Sequence, residues 1–144
     1  MQPEVRLRIS VLGLFVDADE VLLLHQMTPP EPDLWDLPGG GMEPHESLMD
    51  GLAREILEET GITEFQVEGL LTLVEGFHAR QKGGISHTIG IIYQCSVPHR
   101  PAVLSSDDPE VGPKGIQWLP IASLDQTHCT SRTWKALQAA GLVK

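Results

Sequence analysis

Three glutamates and one arginine stand close together in a segment whose pattern predicts a helix. Arg54 is followed by Glu55, Glu58 and Glu59. Residues three and four apart on a helix share a face, with Cβ atoms about 5–6 Å apart, so Glu55 is expected beside both other glutamates. Each like-charge pair costs a few tenths of a kcal/mol, and the helix dipole disfavours anions in the last turn. A bound cation would offset both effects.

Mg²⁺ suits such a site, because it takes oxygen ligands and often shares its coordination shell with substrate phosphates. The simpler alternative is a solvated acidic helix face, on which Arg54 pairs with Glu58 four residues later. For an isolated pair of glutamates that alternative is the better hypothesis. The surrounding residues favour the metal site.

The helix is predicted from about His45 to Thr60. Its apolar residues recur at helical spacing, and the positions of Leu52 and Ile56 indicate a face turned to the core. Gly61 is well placed as the left-handed residue that ends a helix. Gly51 costs about 1 kcal/mol relative to alanine inside a helix, which indicates close packing at that position.

The glutamates belong to a longer pattern with fixed spacing. It resembles the Nudix box at every defining position, and the lead-in Trp-Asp-Leu-Pro-Gly-Gly resembles the same family. From Gly40 the pattern runs through five residues to Glu46 and seven more to Arg54-Glu55, and it closes with Glu58-Glu59, Gly61 and the apolar Ile62.

The resemblance implies an α/β (α+β) protein with the Nudix fold, a mixed β-sheet sandwiched between helices. It implies hydrolysis of a pyrophosphate bond in a nucleoside diphosphate linked to another group, with Mg²⁺ or alternatively Mn²⁺ as cofactor. Arg54 would orient the carboxylates, and Glu46 would support the helix or the outer shell of the metal. The metal ligands implied by motif position are the carbonyl of Gly39 and the carboxylates of Glu55, Glu58 and Glu59.

The general base is expected among acids near the metal. Within the box, Glu58 or Glu59 could take a proton from the attacking water. Family members often place an acid in a late loop, and here Asp107, Asp108 and Glu110 occupy one. Glu110 is the preferred candidate, and a plain solvated loop is the alternative.

Substrate choice is set outside the box. Trp35, Phe77 and His87 could stack on a base, and Arg80 could contact phosphate. Core packing or a solvated hairpin is the alternative for each. Arg6, Arg8 and Lys82 are further candidates for phosphate contacts. A nucleoside triphosphate, oxidised or ordinary, is expected ahead of a nucleotide sugar. The basic residue that often ends the preceding strand is replaced by His25-Gln26.

The flanking segments are predicted to form strands on both sides of the central helix. Residues 28–33 contain three prolines and are expected to be an extended loop, as are residues 100–115. With no interior linker, residues 1–144 are expected to form a single domain. The predicted strands are residues 5–16, 21–24, 65–77, 85–97 and 116–119, and a second helix is predicted for residues 131–140.

Charge and composition limit the partners. The formal net charge is −10, which argues against binding a nucleic-acid polymer, whereas a metal can bridge carboxylates to a small phosphorylated substrate. The two cysteines show no zinc or disulfide pattern. The sequence shows no signal peptide and no apolar run near the ~20 residues of a membrane span, so no membrane contact and a cytoplasmic location are expected. A homodimer is left open.

Two other functions fit the same fold. One is a non-catalytic module that senses a nucleotide or binds a protein, although such modules usually show an eroded box. The other is a prenyl-diphosphate isomerase, which would need a catalytic cysteine; Cys95 lies on a predicted strand. The intact box favours hydrolysis over both.

Overall fold

The computed structural model describes residues 4–144, and the elements are numbered here within that range. It contains two α-helices, α1 (Leu48–Thr60) and α2 (Ser131–Ala139), and two short 3₁₀ segments between the last strand and α2. The strands are β1 (Val5–Asp17), β2 (Glu20–Gln26), β3 (Leu34–Asp36), β4 (Gly39–Gly41), β5 (Gln66–Ala79), β6 (Ile85–Ser96) and β7 (Val111–Pro120).

The strands form a mixed sheet centred on β1. The order is β3-β2-β1-β6-β5, with β4 paired to β1 and β7 paired to β2. Strand β1 runs parallel to β6 from Val5↔Ile85 to Phe15↔Cys95, and its other pairings are antiparallel. This confirms the predicted mixed sheet.

The two faces of β1 build two separate apolar cores, because side chains alternate across a strand. Val11 and Phe15 pack in the core of α1, with Leu52 and Ile56 from the helix. The other face, including Leu12, packs in the core of α2. The sheet therefore lies between two helices, as the Nudix resemblance implies.

Helix α1 begins at Leu48, later than the expected start near His45. Its N-cap is Ser47, whose Oγ accepts a hydrogen bond from the backbone N–H of Asp50 at 3.1 Å. The expected end is confirmed: Gly61 has a φ of 79°, and its N–H donates to the carbonyl of Leu57.

Strand β7 extends into residues that were expected to be loop. It starts at Val111, because that residue pairs with Gln26 beyond a bulge in β2. Strands β3 and β4 were not predicted as strands, since each has three residues and depends on pairing with β2 or β1. In the part of the chain that the structure describes, no helix combines the length and apolar character needed to cross a bilayer.

Candidate active site

A glycine strand lies against β1 and next to the last turns of α1. At Gly39, φ is 136° and a Cβ would stand 2.2 Å from the carbonyl oxygen of Val11, so a side chain is excluded. At Gly40, a Cβ would stand 2.4 Å from Oε2 of Glu55. The absence of a side chain at Gly40 therefore lets the Glu55 carboxylate lie directly against the backbone of β4.

Arg54 connects the helix to the preceding turn. Its Nε donates to Glu46 at 3.0 Å and its Nη2 donates to the same carboxylate at 2.5 Å. Its Nη1 donates to Glu55 at 2.9 Å, and Nη2 also donates to the carbonyl of Gly41 at 3.1 Å. These bonds lower the pKa of Glu46 to about 2 and raise the pKa of Arg54. The ion pair Arg54–Glu58 is longer, at 3.5 Å.

Glu59 is a buried acid with an unsatisfied oxygen. The residue is only 8% exposed, and its Oε2 has no hydrogen-bond partner. Burial, followed by the nearby charge of Asp108, raises its pKa to about 9. The pKa of Glu55 is also raised, because burial outweighs the contacts from Arg54. An orphaned carboxylate oxygen of this kind is costly unless a cation or a proton neutralises it.

The loop that contains Asp107, Asp108 and Glu110 packs against the C-terminal end of α1. The N–H of Ser105 donates to the carbonyl of Thr60 at 3.0 Å, and the N–H of Asp107 donates to that of Glu58 at 2.8 Å. These bonds satisfy carbonyls that the helix leaves free. They also bring Asp108 beside Glu59.

Glu110, the preferred base in the sequence, has different surroundings. It is exposed, and its Oε2 accepts a hydrogen bond from Thr28 Oγ1 at 3.3 Å. Asp108 is therefore the acid of this loop that influences the box glutamates.

The residues fit a divalent cation by the chemistry of their donors. Among residues 4–144, no three His, Cys, Asp or Glu side chains gather closely enough to enclose an ion by themselves. Mg²⁺ does not need such a cage, since it keeps several waters and uses one or two carboxylates. The free Oε2 of Glu59 and the Glu55 carboxylate on the glycine strand are oxygen donors of the required type. Glu58, whose side chain is 50% exposed, is open to the same region.

A cavity of about 930 Å³ is lined by Glu55 and Glu58. Of the four residues expected to bind substrate, Arg80 lines this cavity. Phe77 and His87 pair across β5 and β6, where their rings stack at 4.2 Å between centroids. Trp35 lies apart from them on β3, half-buried and packed on the core of α2. The structure thus brings three of the four to one end of the sheet.

His25 has a structural position instead of one at the cavity. It is buried, with Nε2 2.7 Å from Asp33 Oδ1, and its Nδ1 accepts a hydrogen bond from the N–H of Lys114 at 3.2 Å. The ring therefore connects the proline-rich loop to the start of β7.

A partly buried ion pair was missed in the sequence. Asp36 accepts hydrogen bonds from Arg132 Nε at 2.9 Å and Nη2 at 2.6 Å, and from Thr130 Oγ1 at 2.9 Å. Burial alone would raise the pKa of Asp36, but the charge and hydrogen bonds of Arg132 hold it below its usual range. The pair attaches α2 to β3. Because its two residues are 96 positions apart in the sequence, no local pattern predicts it.

Cys95 does not have the properties of a catalytic nucleophile. It is buried in the core of α1, and burial raises the pKa of its thiol to about 12. A reactive cysteine needs an accessible thiolate at neutral pH. The environment of Cys95 gives no support to the isomerase alternative.

Comparison with known proteins identifies the family. The model of the NUDIX domain matches residues 5–139, so the chain belongs to the NUDIX domain family. A relative named 8-oxo-dGDP phosphatase NUDT18, from Homo sapiens, is 38% identical over 97 residues, covering 58% of this chain and 30% of the relative. A putative 8-oxo-dGTP diphosphatase from Bacillus subtilis (strain 168) is 47% identical over 53 residues, covering 34% of each chain. The match thus spans about a third of the length of these relatives.

Solved structures agree on the fold. The MutT protein from Methanosarcina mazei Go1 aligns with a TM-score of 0.70 and 26% identity, covering 94% of this chain and 93% of the other. The MutT NUDIX hydrolase from Burkholderia pseudomallei aligns with a TM-score of 0.73 and 24% identity, covering 93% and 98%. At such identity the second likeness concerns the fold alone.

Proposed function

We propose that the chain is a divalent-metal-dependent pyrophosphohydrolase acting on a small nucleotide. The observation that supports this most directly is the unpartnered carboxylate oxygen of Glu59, buried beside Glu55 at the glycine strand. In the proposal, Glu55, Glu58 and Glu59 hold Mg²⁺ or Mn²⁺, with the Gly39 carbonyl as a further ligand. The bound ion would neutralise charge on the phosphoryl oxygens and lower the pKa of a bound water.

The protein groups have separate roles in this proposal. Arg54 positions Glu55 and the turn before the helix through the hydrogen bonds described above. Asp108, which lies beside the buried Glu59, is our first candidate for the general base. Glu110, in the same loop, is the second candidate, and Glu58 is the third.

We further propose a purine nucleotide, oxidised or ordinary, as the substrate class. Relatives named as acting on 8-oxo-dGDP and 8-oxo-dGTP support the oxidised form. Phe77 is 63% exposed, and its stack with His87 holds the ring in place as a surface on which a base could lie. The net charge of −10 supports a small substrate over a nucleic-acid polymer. The two free, buried cysteines are consistent with a cytoplasmic location, which we propose as well.

The test is a substrate panel with a metal dependence. Purified protein is incubated with nucleoside triphosphates and diphosphates, their 8-oxo forms, ADP-ribose and sugar nucleotides, in Mg²⁺, Mn²⁺ or EDTA. We expect the protein to release phosphate or pyrophosphate from at least one of these substrates. EDTA should abolish this release, and Glu59→Gln should lower it by about 10–100-fold. Glu64→Gln, an exposed glutamate in the segment after α1, is the matched control. If no substrate of the panel is hydrolysed, the result would favour a non-catalytic binding module. Size-exclusion chromatography would test whether the protein is a homodimer.

A further inference from the structure

Positive side chains are concentrated in the cavity beside the carboxylates. The chain has 10 lysines and arginines against 20 acids, yet four of those ten line this one cavity. They are Arg6 and Arg8 on β1, Arg54 on α1 and Arg80 after β5. Glu43, Glu55 and Glu58 line the same cavity. The four arginines and two of the proposed metal ligands, Glu55 and Glu58, therefore line the same cavity.

Among residues 4–144, three of these four arginines have no carboxylate oxygen within 3.5 Å. Within residues 4–144, Arg6 and Arg8 form no ion pair and no side-chain hydrogen bond, while Arg80 has one ion-pair contact of 3.8 Å with Glu4, whose side chain is 80% exposed. The arginines elsewhere are different: Arg100 and Arg132 each reach a carboxylate at 2.6 Å. Guanidinium groups without a close carboxylate partner in an acidic protein are available to bind an external anion.

Arg8 is placed next to the box by another glycine. A Cβ at Gly41 would stand 2.9 Å from Nη2 of Arg8, so the guanidinium lies against the backbone of β4. Arg8 and Glu55 both line the cavity and both lie against the glycine strand, which places the two groups near each other. The arginines thus begin beside the proposed metal site and continue along the strands away from it.

We propose that Arg6, Arg8 and Arg80 form an anion subsite for phosphate groups that lie outside the diphosphate that is cleaved. The proposal rests on the proposed function, and it deepens the substrate class. Guanidinium groups match phosphate oxygens in bidentate geometry, and the cavity volume suits a nucleotide-sized ligand. The subsite selects substrates with additional phosphate, such as a nucleoside triphosphate, over a diphosphate that carries an uncharged sugar.

The kinetic test compares two substrates in three single variants. We expect Arg6→Gln, Arg8→Gln and Arg80→Gln each to lower kcat/KM for a nucleoside triphosphate by about tenfold. For ADP-ribose, which has no phosphate outside its diphosphate, the change should stay within about twofold. Lys135→Gln removes the same charge from the exposed face of α2 and should change neither value. Equal losses on both substrates would overturn the subsite.

A binding test separates this inference from the proposed function. Calorimetry in EDTA at low salt measures the affinity for inorganic tripolyphosphate, with no turnover involved. We expect binding that the double variant Arg6→Gln/Arg8→Gln weakens by more than about tenfold and that Lys135→Gln leaves intact. Arginine-dependent binding without hydrolysis of any nucleotide would sustain the subsite and reject the hydrolase. Hydrolysis with unaltered substrate preference in the arginine variants would sustain the hydrolase and reject the subsite.

The same measurements distinguish the two sources of such phosphate. If the subsite takes the triphosphate tail of a nucleotide, tripolyphosphate should inhibit nucleotide hydrolysis competitively, and the nucleoside triphosphate should bind more tightly than tripolyphosphate. If the subsite takes a phosphate-rich compound without a base, tripolyphosphate should bind at least as tightly as the nucleoside triphosphate. Failure of tripolyphosphate to bind wild-type protein in EDTA would overturn the subsite in both forms.

Discussion

Replacing Glu59 by glutamine should stabilise the metal-free protein at neutral and alkaline pH. The pKa of Glu59 is raised from its ordinary 4.5 to about 9, by burial and then by Asp108. Between these values the folded chain holds a proton that the unfolded chain has released. Stability falls with rising pH wherever the folded state binds more protons. Wild-type protein should therefore lose stability across the window from about pH 4.5 to 9.

The magnitude follows from the pKa displacement. Each pH unit within the window removes up to about 1.4 kcal/mol, so the interval from pH 5 to 8 removes up to about 4 kcal/mol. Water penetration and relaxation around the buried carboxyl reduce this, and we expect about 2–4 kcal/mol. Glutamine carries no charge at any pH. Glu59→Gln should match wild type within about 1 kcal/mol at pH 5 and exceed it by that 2–4 kcal/mol at pH 8.

The assay is urea unfolding in EDTA at pH 5, 6, 7 and 8, followed by tryptophan fluorescence. Glu58→Gln is the matched control, because it removes the same charge from the same helix turn at a side chain that is 50% exposed. The same concentration of Mg²⁺ should stabilise wild-type protein at pH 8, since a cation favours the ionised carboxylate, and should stabilise Glu59→Gln less, because that variant has lost one of its proposed ligands. Parallel pH profiles for wild type and Glu59→Gln would refute the reasoning.

Three further predictions concern groups around the site. Gly40→Ala should keep the fold but weaken Mg²⁺ binding by about 10–100-fold in calorimetry, because its Cβ would displace the Glu55 carboxylate 2.4 Å away. Asp36→Asn should lower the free energy of unfolding by about 2 kcal/mol, a reduced value for a buried pair because the Arg132 side chain is 35% exposed. Ser47→Ala should cost about 1 kcal/mol through loss of the N-cap of α1, measured by urea unfolding.

Each of these has an outcome that would contradict it. Unchanged Mg²⁺ affinity in Gly40→Ala would show that the Glu55 carboxylate does not need its place against β4. An Asp36→Asn protein as stable as wild type would show that the Asp36–Arg132 pair contributes nothing net to the attachment of α2. For Ser47→Ala, the matched control is Ser123→Ala, whose Oγ lies outside the α-helices; equal losses in both would exclude a capping effect.

Much of the architecture was predictable because its signals are local. The apolar positions of Leu52 and Ile56 repeat at helical spacing, and both are fully or almost fully buried. Gly61 ends the helix in the left-handed conformation, as its position indicated. Gly51 was expected to pack closely, and its Cβ would stand 2.4 Å from the sulfur of Met42. Strand β7 was predicted too short, since its first residues depend on the distant partner strand β2.

The sequence by itself determined the family, the mixed sheet between helices and the row of acids on α1, because fixed spacing in a helix specifies which side chains are neighbours. Only the tertiary structure decided the surroundings of those acids. Glu58 and Glu59 are adjacent in the chain, yet one side chain is half exposed and the other residue is 8% exposed. The approach of Asp108 to Glu59 and the gathering of Arg6, Arg8 and Arg80 join segments far apart in sequence. Such contacts follow from how the sheet and loops pack, which no local pattern encodes.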